Sequence, residues 1–157
     1  MTEGTSFEKP RGVSRVEVRH GFAQVHVSGI VGDLMTERLA VLAAVADAGI
    51  SLDFLKLTQS GLSFLVPQDK SSVVETALQP LELHFTVRDA RSIVLVHAVN
   101  MRDEEGLIAS IVRDTIASGA RVDHIGDMHD RMLMVVGADD AERVAAFFEN
   151  SLVGAGR

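Results

Sequence analysis

Positions seventy residues apart along this chain carry the same kind of side chain, and this internal repeat constrains the fold more than any other feature. Gly49 falls on Gly119, Asp53 on Asp123, Leu52 on Val122 and Leu55 on Ile125. The register runs on without a gap: Phe64, Leu65 and Val66 fall on Met134, Val135 and Val136, Asp69 on Asp139, Val74 on Val144 and Leu78 on Phe148. Upstream, Asp33 falls on Asp103, and Val41 and Leu42 fall on Ile111 and Val112. Identity is low, yet apolar character is kept through two helical and two strand-like segments. The chain therefore reads as two copies of one unit.

The elements of that unit follow from periodicity. Gln24 to Gly29 alternates, with Val25 and Val27 on one face and Gln24, His26 and Ser28 on the other, as in a half-buried strand. From Leu34 to Ala48 the apolar residues Leu34, Val41, Leu42, Val45 and Ala46 share a helical stripe, with Asp33 placed as N-cap and Gly49 as the left-handed stop. Ile50 to Leu57 and Leu62 to Val66 are two strands joined around Gln59, Ser60 and Gly61, and Pro67 ends the second. A short helix from Ser71 or Ser72 to Gln79 carries Ser72 and Glu75 at capping-box spacing, and Leu83 to Arg88 closes the unit as a strand. The order is βαββαβ. It predicts an α+β fold of two ferredoxin-like units, each an antiparallel sheet with both helices on one face.

The second unit repeats this with a strand over Ile93 to Ala98, a helix from about Glu104 to Ser118, strands over Val122 to Met128 and Met132 to Val136, and a helix from Asp139 to about Leu152. Asp139 and Glu142 again have capping-box spacing. The counterpart of Leu83 to Arg88 would lie at 153 to 158, but the sequence stops at Arg157. Val13 to His20 meanwhile alternates as a strand that the first unit does not need. It is expected to complete the second sheet and so remove an unpaired edge. The predicted organisation is a disordered tail over 1–12, the completing strand over 13–20, a first unit over 21–89 and a second over 90–153.

Composition excludes several functions. Lys plus Arg number 15 against 22 for Asp plus Glu, a net charge of −7, and a nucleic-acid binder needs the opposite balance. Cysteine is absent, which removes disulfides, thiolate metal sites and cysteine nucleophiles. No apolar run approaches ~18 residues, and the first twelve residues lack the apolar region of a signal peptide, so a cytoplasmic protein with no membrane contact is expected. No nucleophile, base and orienting group occur together, so no catalysis is assigned. No cofactor is expected either. His20, His26, His84, His97, His124 and His129 lack the i, i+4 spacing of a helical metal pair, so no metal site is assigned, although His124, Asp127, His129 and Asp130 cluster around the second hairpin.

A Gly-ended helix followed by "AGISLD" and "LSFLVP", and in the second copy "NMRDEEG", "SGARVDHI" and "DDAERVAAFFENSL", resembles the tandem ACT domains of the regulatory portion of aspartokinases. The resemblance runs from about Val13 to Leu152 and includes the leading strand that completes the second domain. No Gly-rich phosphate cradle precedes Val13 in this sequence, so no kinase domain is expected with it. The resemblance implies a non-catalytic module that binds a small amino acid between ACT domains and modulates an amino-acid-biosynthesis enzyme subunit, as a homodimer or higher homo-oligomer.

The effector-binding residues implied by the resemblance are Asp33, Leu34, Met35 and Thr36 in the loop and first helical turn, and Ser51 and Asp53 at the second strand. In the second copy they are Met101, Arg102, Gly106 and Asp123. Helix N–H groups would receive a carboxylate and the nearby Asp an ammonium group. Where the family has Pro-Gly, this chain has Met35 and Thr36. Asp33 also reads simply as a helix cap, and Asp103, Glu104 and Glu105 as favourable charges at a helix N-terminus. The alternative reading is a structural or assembly module that acts through protein contacts without a ligand.

Overall fold

The computed structural model describes residues 12–98, 106–128 and 130–155, with side chains through Asn150. Among the described residues there are six strands and four α-helices: β1 (Val13–Ser28), α1 (Leu34–Asp47), β2 (Asp53–Thr58), β3 (Gly61–Pro67), α2 (Ser71–Leu78), β4 (His84–Ala98), α3 (Leu107–Ala117), β5 (Val122–Asp127), β6 (Arg131–Gly137) and α4 (Ala138–Ala155). The hydrogen-bonded strand order is β2-β3-β1-β4-β6-β5. The fold is α+β and ferredoxin-like, with two compact units: Gly21–Arg91, and Met1–His20 together with Ser92–Arg157.

In the Gly21–Arg91 unit, β3 pairs antiparallel with both β1 and β2. Its core takes Ala23, Val25 and Val27 from β1, Leu62, Phe64 and Val66 from β3, Val41 and Val45 from α1, and Val74 and Leu78 from α2. The alternation of β1 and β3 and the i, i+4 spacing of both helices thus meet in one apolar layer. The other unit repeats the plan, with Val94, Val96 and Ala98 of β4, Met132, Met134 and Val136 of β6, Leu107 and Ile111 of α3, and Ala141, Val144 and Phe148 of α4. Val13, Val16 and Val18, in the leading half of β1, pack against this second core, so the N-terminal strand completes the second unit.

The seventy-residue register holds at atomic detail. Ala48 N–H donates to the Ala44 carbonyl and Gly49 N–H to that of Ala46, and Ser118 and Gly119 repeat both bonds to Asp114 and Ile116. Gly49 (φ +75) and Gly119 (φ +85) stop their helices in the left-handed region where a Cβ is costly. At the position of Val45, the second core buries Thr115, whose hydroxyl is satisfied by the Ile111 carbonyl at 2.8 Å.

The structure differs from the sequence reading in four respects. Val13 to His20 and Gln24 to Gly29 are halves of the single strand β1, and Leu83 to Arg88 and Ile93 to Ala98 are halves of β4. Alternation hides this because the core residues change from even-numbered at Val16 and Val18 to odd-numbered at Ala23, Val25 and Val27, and from odd-numbered at Phe85 and Val87 to even-numbered at Val94, Val96 and Ala98. The Ser72–Glu75 capping box does not form: a 3₁₀ turn over Gln68–Lys70 feeds α2, and its N-cap, Lys70, makes no side-chain cap bond. Asp139 lies inside the first turn of α4, which starts at Ala138, rather than capping it. β2 starts at Asp53, not Ile50, whose N–H closes the end of α1 on the Val45 carbonyl at 3.2 Å; pairing with β3 then shifts register between Asp53 and Lys56, around the left-handed Phe54 (φ 47). The tail expected over 1–12 lies outside the described residues except for Gly12.

Two outcomes check this packing. A Cβ on Gly61 would lie 1.8 Å from the Val27 carbonyl oxygen, so Gly61→Ala should destabilise the Gly21–Arg91 unit by about 3 kcal/mol or more in urea denaturation. Removal of residues 1–20 should lower the melting temperature of the Ser92–Arg157 unit selectively, because three valines leave its core.

Candidate functional site

The loop between β1 and α1 is built by hydrogen bonds to the β2–β3 turn. Ile30 N–H donates to the Ser60 carbonyl at 3.0 Å and Gly29 N–H to the Ser60 hydroxyl at 3.3 Å. The Arg38 side chain, one turn into α1, donates from Nε to the Gly61 carbonyl at 2.9 Å and from its guanidinium to the Thr58 carbonyl. A planar cation with several donors suits a turn that presents two carbonyls. This places the Met35–Arg38–Leu39 side of α1 beside the end of β2. No sequence signal distinguished Arg38 from an ordinary surface arginine.

Asp33 caps α1. Its carboxylate accepts from the Thr36 N–H at 2.9 Å and from the Thr36 hydroxyl at 2.5 Å, and these bonds hold its pKa below the usual carboxylate value. The Asp33 carbonyl takes the Glu37 N–H, and Glu37 adds a second acid to the first turn. Leu34 and Met35 follow as the first helical residues, with Met35 exposed. Ser51 and Asp53 are exposed at the head of β2, on a separate connection, where Asp53 opposes Leu65. Thus the structure joins Asp33 to Thr36.

In the second unit Gly106 is the N-cap of α3 in the left-handed region (φ +79) and makes no side-chain cap bond; its carbonyl accepts from Ser110 N–H. Asp123 lies at the head of β5, where the pairing with β6 shifts register between Val122 and His124, much as it does after Asp53. Met101 and Arg102 lie outside the described residues, as do Asp103, Glu104, Glu105 and His129. Among the described residues no three His, Asp or Glu side chains are grouped to hold a metal. No helix among them is long and apolar enough to cross a membrane.

The surface near the first loop is apolar. Val31 is 97% exposed, and Met35, Leu39, Leu55 and Leu57 are also exposed. Val31, Met35 and Leu39 recur at i, i+4 spacing along the loop and α1, while Leu55 and Leu57 lie on β2, at the end of the strand order. Large apolar side chains are thus exposed both on the loop and helix α1 and on the edge strand β2.

Compared by sequence, the chain matches no family model and no curated protein. Compared by structure, it has the fold of aspartate kinase regulatory subunits and domains. It is similar to the ligand-free regulatory subunit from Thermus thermophilus, with a TM-score of 0.79 and 21% identity over 89% of this chain and 97% of that one. The Thermus flavus regulatory subunit gives 0.79 and 19% over 90% and 99%. A C-terminal regulatory domain of aspartate kinase from Porphyromonas gingivalis gives 0.71 and 19% over 86% and 94%. The resemblance to tandem ACT regulatory domains is therefore present in three dimensions.

The Asp33 cap has a pH signature. A depressed folded pKa means its stabilisation is complete above the ordinary carboxylate pKa and fades as pH falls through the folded value. Asp33→Asn should flatten the acid limb of the stability curve below about pH 4, measured by urea denaturation from pH 2 to 6.

Proposed function

We propose that this chain is a non-catalytic regulatory module that binds a small amino acid through its ACT-type units, 21–89 and 90–153, and modulates an amino-acid-biosynthesis enzyme subunit of the aspartate kinase kind. The observation that carries this reading is the fold likeness to regulatory subunits, which spans 89% of this chain and 97% of the Thermus thermophilus one. The effector contacts would come from Asp33, Leu34, Met35, Thr36, Ser51 and Asp53, and from Met101, Arg102, Gly106 and Asp123. Gly106 supports the second set because it puts a residue without a Cβ at the N-cap of α3, with no side-chain cap bond among the described residues. The exposed apolar residues of α1 and β2 support assembly as a homodimer.

A second reading is favoured by one observation. The Asp33 carboxylate is already spent on Thr36, and a second acid, Glu37, stands in the same turn. A carboxylate ligand at the head of α1 would meet two like charges, so the first unit then serves assembly rather than sensing.

Melting curves and size-exclusion chromatography with Lys, Thr, Met, Ile, Val, Leu, Ser, Gly and Phe test both. An amino acid at a hundred times its dissociation constant adds about 2.7 kcal/mol, a shift on the order of 5 °C. If none moves the melt or the elution volume, the sensor reading fails and the assembly reading stands. Leu57→Glu should shift elution towards the monomer, because the exposed edge of β2 then carries a charge.

A further inference from the structure

We propose that His97 is a proton-operated selector: neutral, it accepts a hydrogen bond from Arg15; protonated, it turns to Glu17 and releases Arg15. The inference goes beyond the regulatory reading and depends on no effector. Every residue in it belongs to the unit made of Met1–His20 and Ser92–Arg157.

β1 and β4 are neighbours in the strand order. Val16 and Val18 of β1, and Val96 and Ala98 of β4, pack into the core with α3 and α4. Strand alternation therefore puts Arg15, Glu17 and Arg19, and His97 between Val96 and Ala98, on the opposite face of the sheet. Ser14 Oγ donates to the His97 carbonyl at 3.2 Å and holds the two strands side by side at this point. The His97 side chain is 11% exposed, against 33% for Glu17 and 65% for Arg15. The ring is confined, and the arginine is free to leave.

His97 Nε2 meets two groups with opposite demands. Arg15 Nη2 lies 3.2 Å from it and Glu17 Oε1 lies 3.5 Å from it. A guanidinium only donates and a carboxylate only accepts. Nε2 with a lone pair thus bonds Arg15, and Nε2 with a hydrogen bonds Glu17. Arg15 is the nearer, so the observed geometry is that of a neutral ring with its hydrogen on Nδ1. A proton added at Nε2 removes the acceptor and sets a cation against the guanidinium. Arg15 itself is 3.8 Å from Glu17, too far for a hydrogen bond to hold it there.

Glu17 keeps its charge where a histidine titrates. Arg19 Nε donates to its Oε2 at 2.7 Å, and this bond above all holds the carboxyl below its ordinary pKa. On the other side of β4, Ala98 N–H donates to the Asp130 carbonyl at 2.9 Å, where β6 begins. The charges there, Arg131 and Asp130, pair with each other at 3.4 Å and offset one another. Lowering the pH therefore turns Arg15 from a bonded group into a free cation on this face of the sheet.

Nitrogen NMR of the His97 ring in the full chain tests this. At pH 8 the wild type should show the Nδ1–H tautomer. Arg15→Ala should move the hydrogen to Nε2, where Glu17 accepts it. On titration to pH 5, the His97 midpoint should rise by roughly half a pH unit in Arg15→Ala and fall by about as much in Glu17→Gln. A histidine with only a packing role would keep one tautomer in all three proteins. A wild type with its hydrogen on Nε2 at pH 8, a tautomer indifferent to Arg15→Ala, or midpoints that do not move in opposite directions overturns the selector.

Discussion

One sixteen-residue strand serving two cores is the constraint on which the rest of this structure depends. β1 delivers Val16 and Val18 to one apolar layer and Ala23, Val25 and Val27 to the other. A strand alternates faces strictly, so a chain that must feed two layers has to keep the alternation intact in each half. β4 meets the same demand, with Phe85 and Val87 against one core and Val94, Val96 and Ala98 in the other. The residues that alternate with Val16 and Val18 are Arg15, Glu17 and Arg19. Glu17 accepts from Arg19 at 2.7 Å, and this bond is the main cause of its lowered pKa.

Duplication accounts for much of what is built around these strands. The helix stops at Gly49 and Gly119 and the register shifts near Asp53 and Asp123 recur because the same local solution was used twice. The copies diverge at the loops that precede their first helices. The first closes on itself, with the Asp33 carboxylate bound to Thr36; seventy residues after Thr36 stands Gly106, a left-handed cap without a side-chain bond. Two copies of one frame thus present different chemistry at corresponding positions.

Much of the fold was legible from residues alone because its signals are local. The cap at Asp33 spans three residues, the helix stops span four, and the apolar runs of β3 and β6 lie within seven. The candidate site was legible only in part. Asp33, Thr36 and Gly106 could be placed from the loop pattern, whereas the roles of Arg38 and of the left-handed Phe54 could not. The first is set by carbonyls twenty and twenty-three residues away, the second by how β2 registers on β3.

By itself, the sequence determined the repeat, the class of fold, the Asp33 cap, the glycine stops at Gly49 and Gly119 and the apolar face of most elements, since propensity, periodicity and capping act over one or two turns. Only the tertiary structure decided that four apparent strands are two and which polar side chains far apart in sequence meet within each unit. His20 meets Ser92 across 72 residues and Glu142 across 122, and Gln68 meets Ala90 across 22. Such partners are chosen by the geometry of folded elements. No pattern within a single segment can encode them, because each half of the contact is an ordinary polar residue until the other is brought beside it.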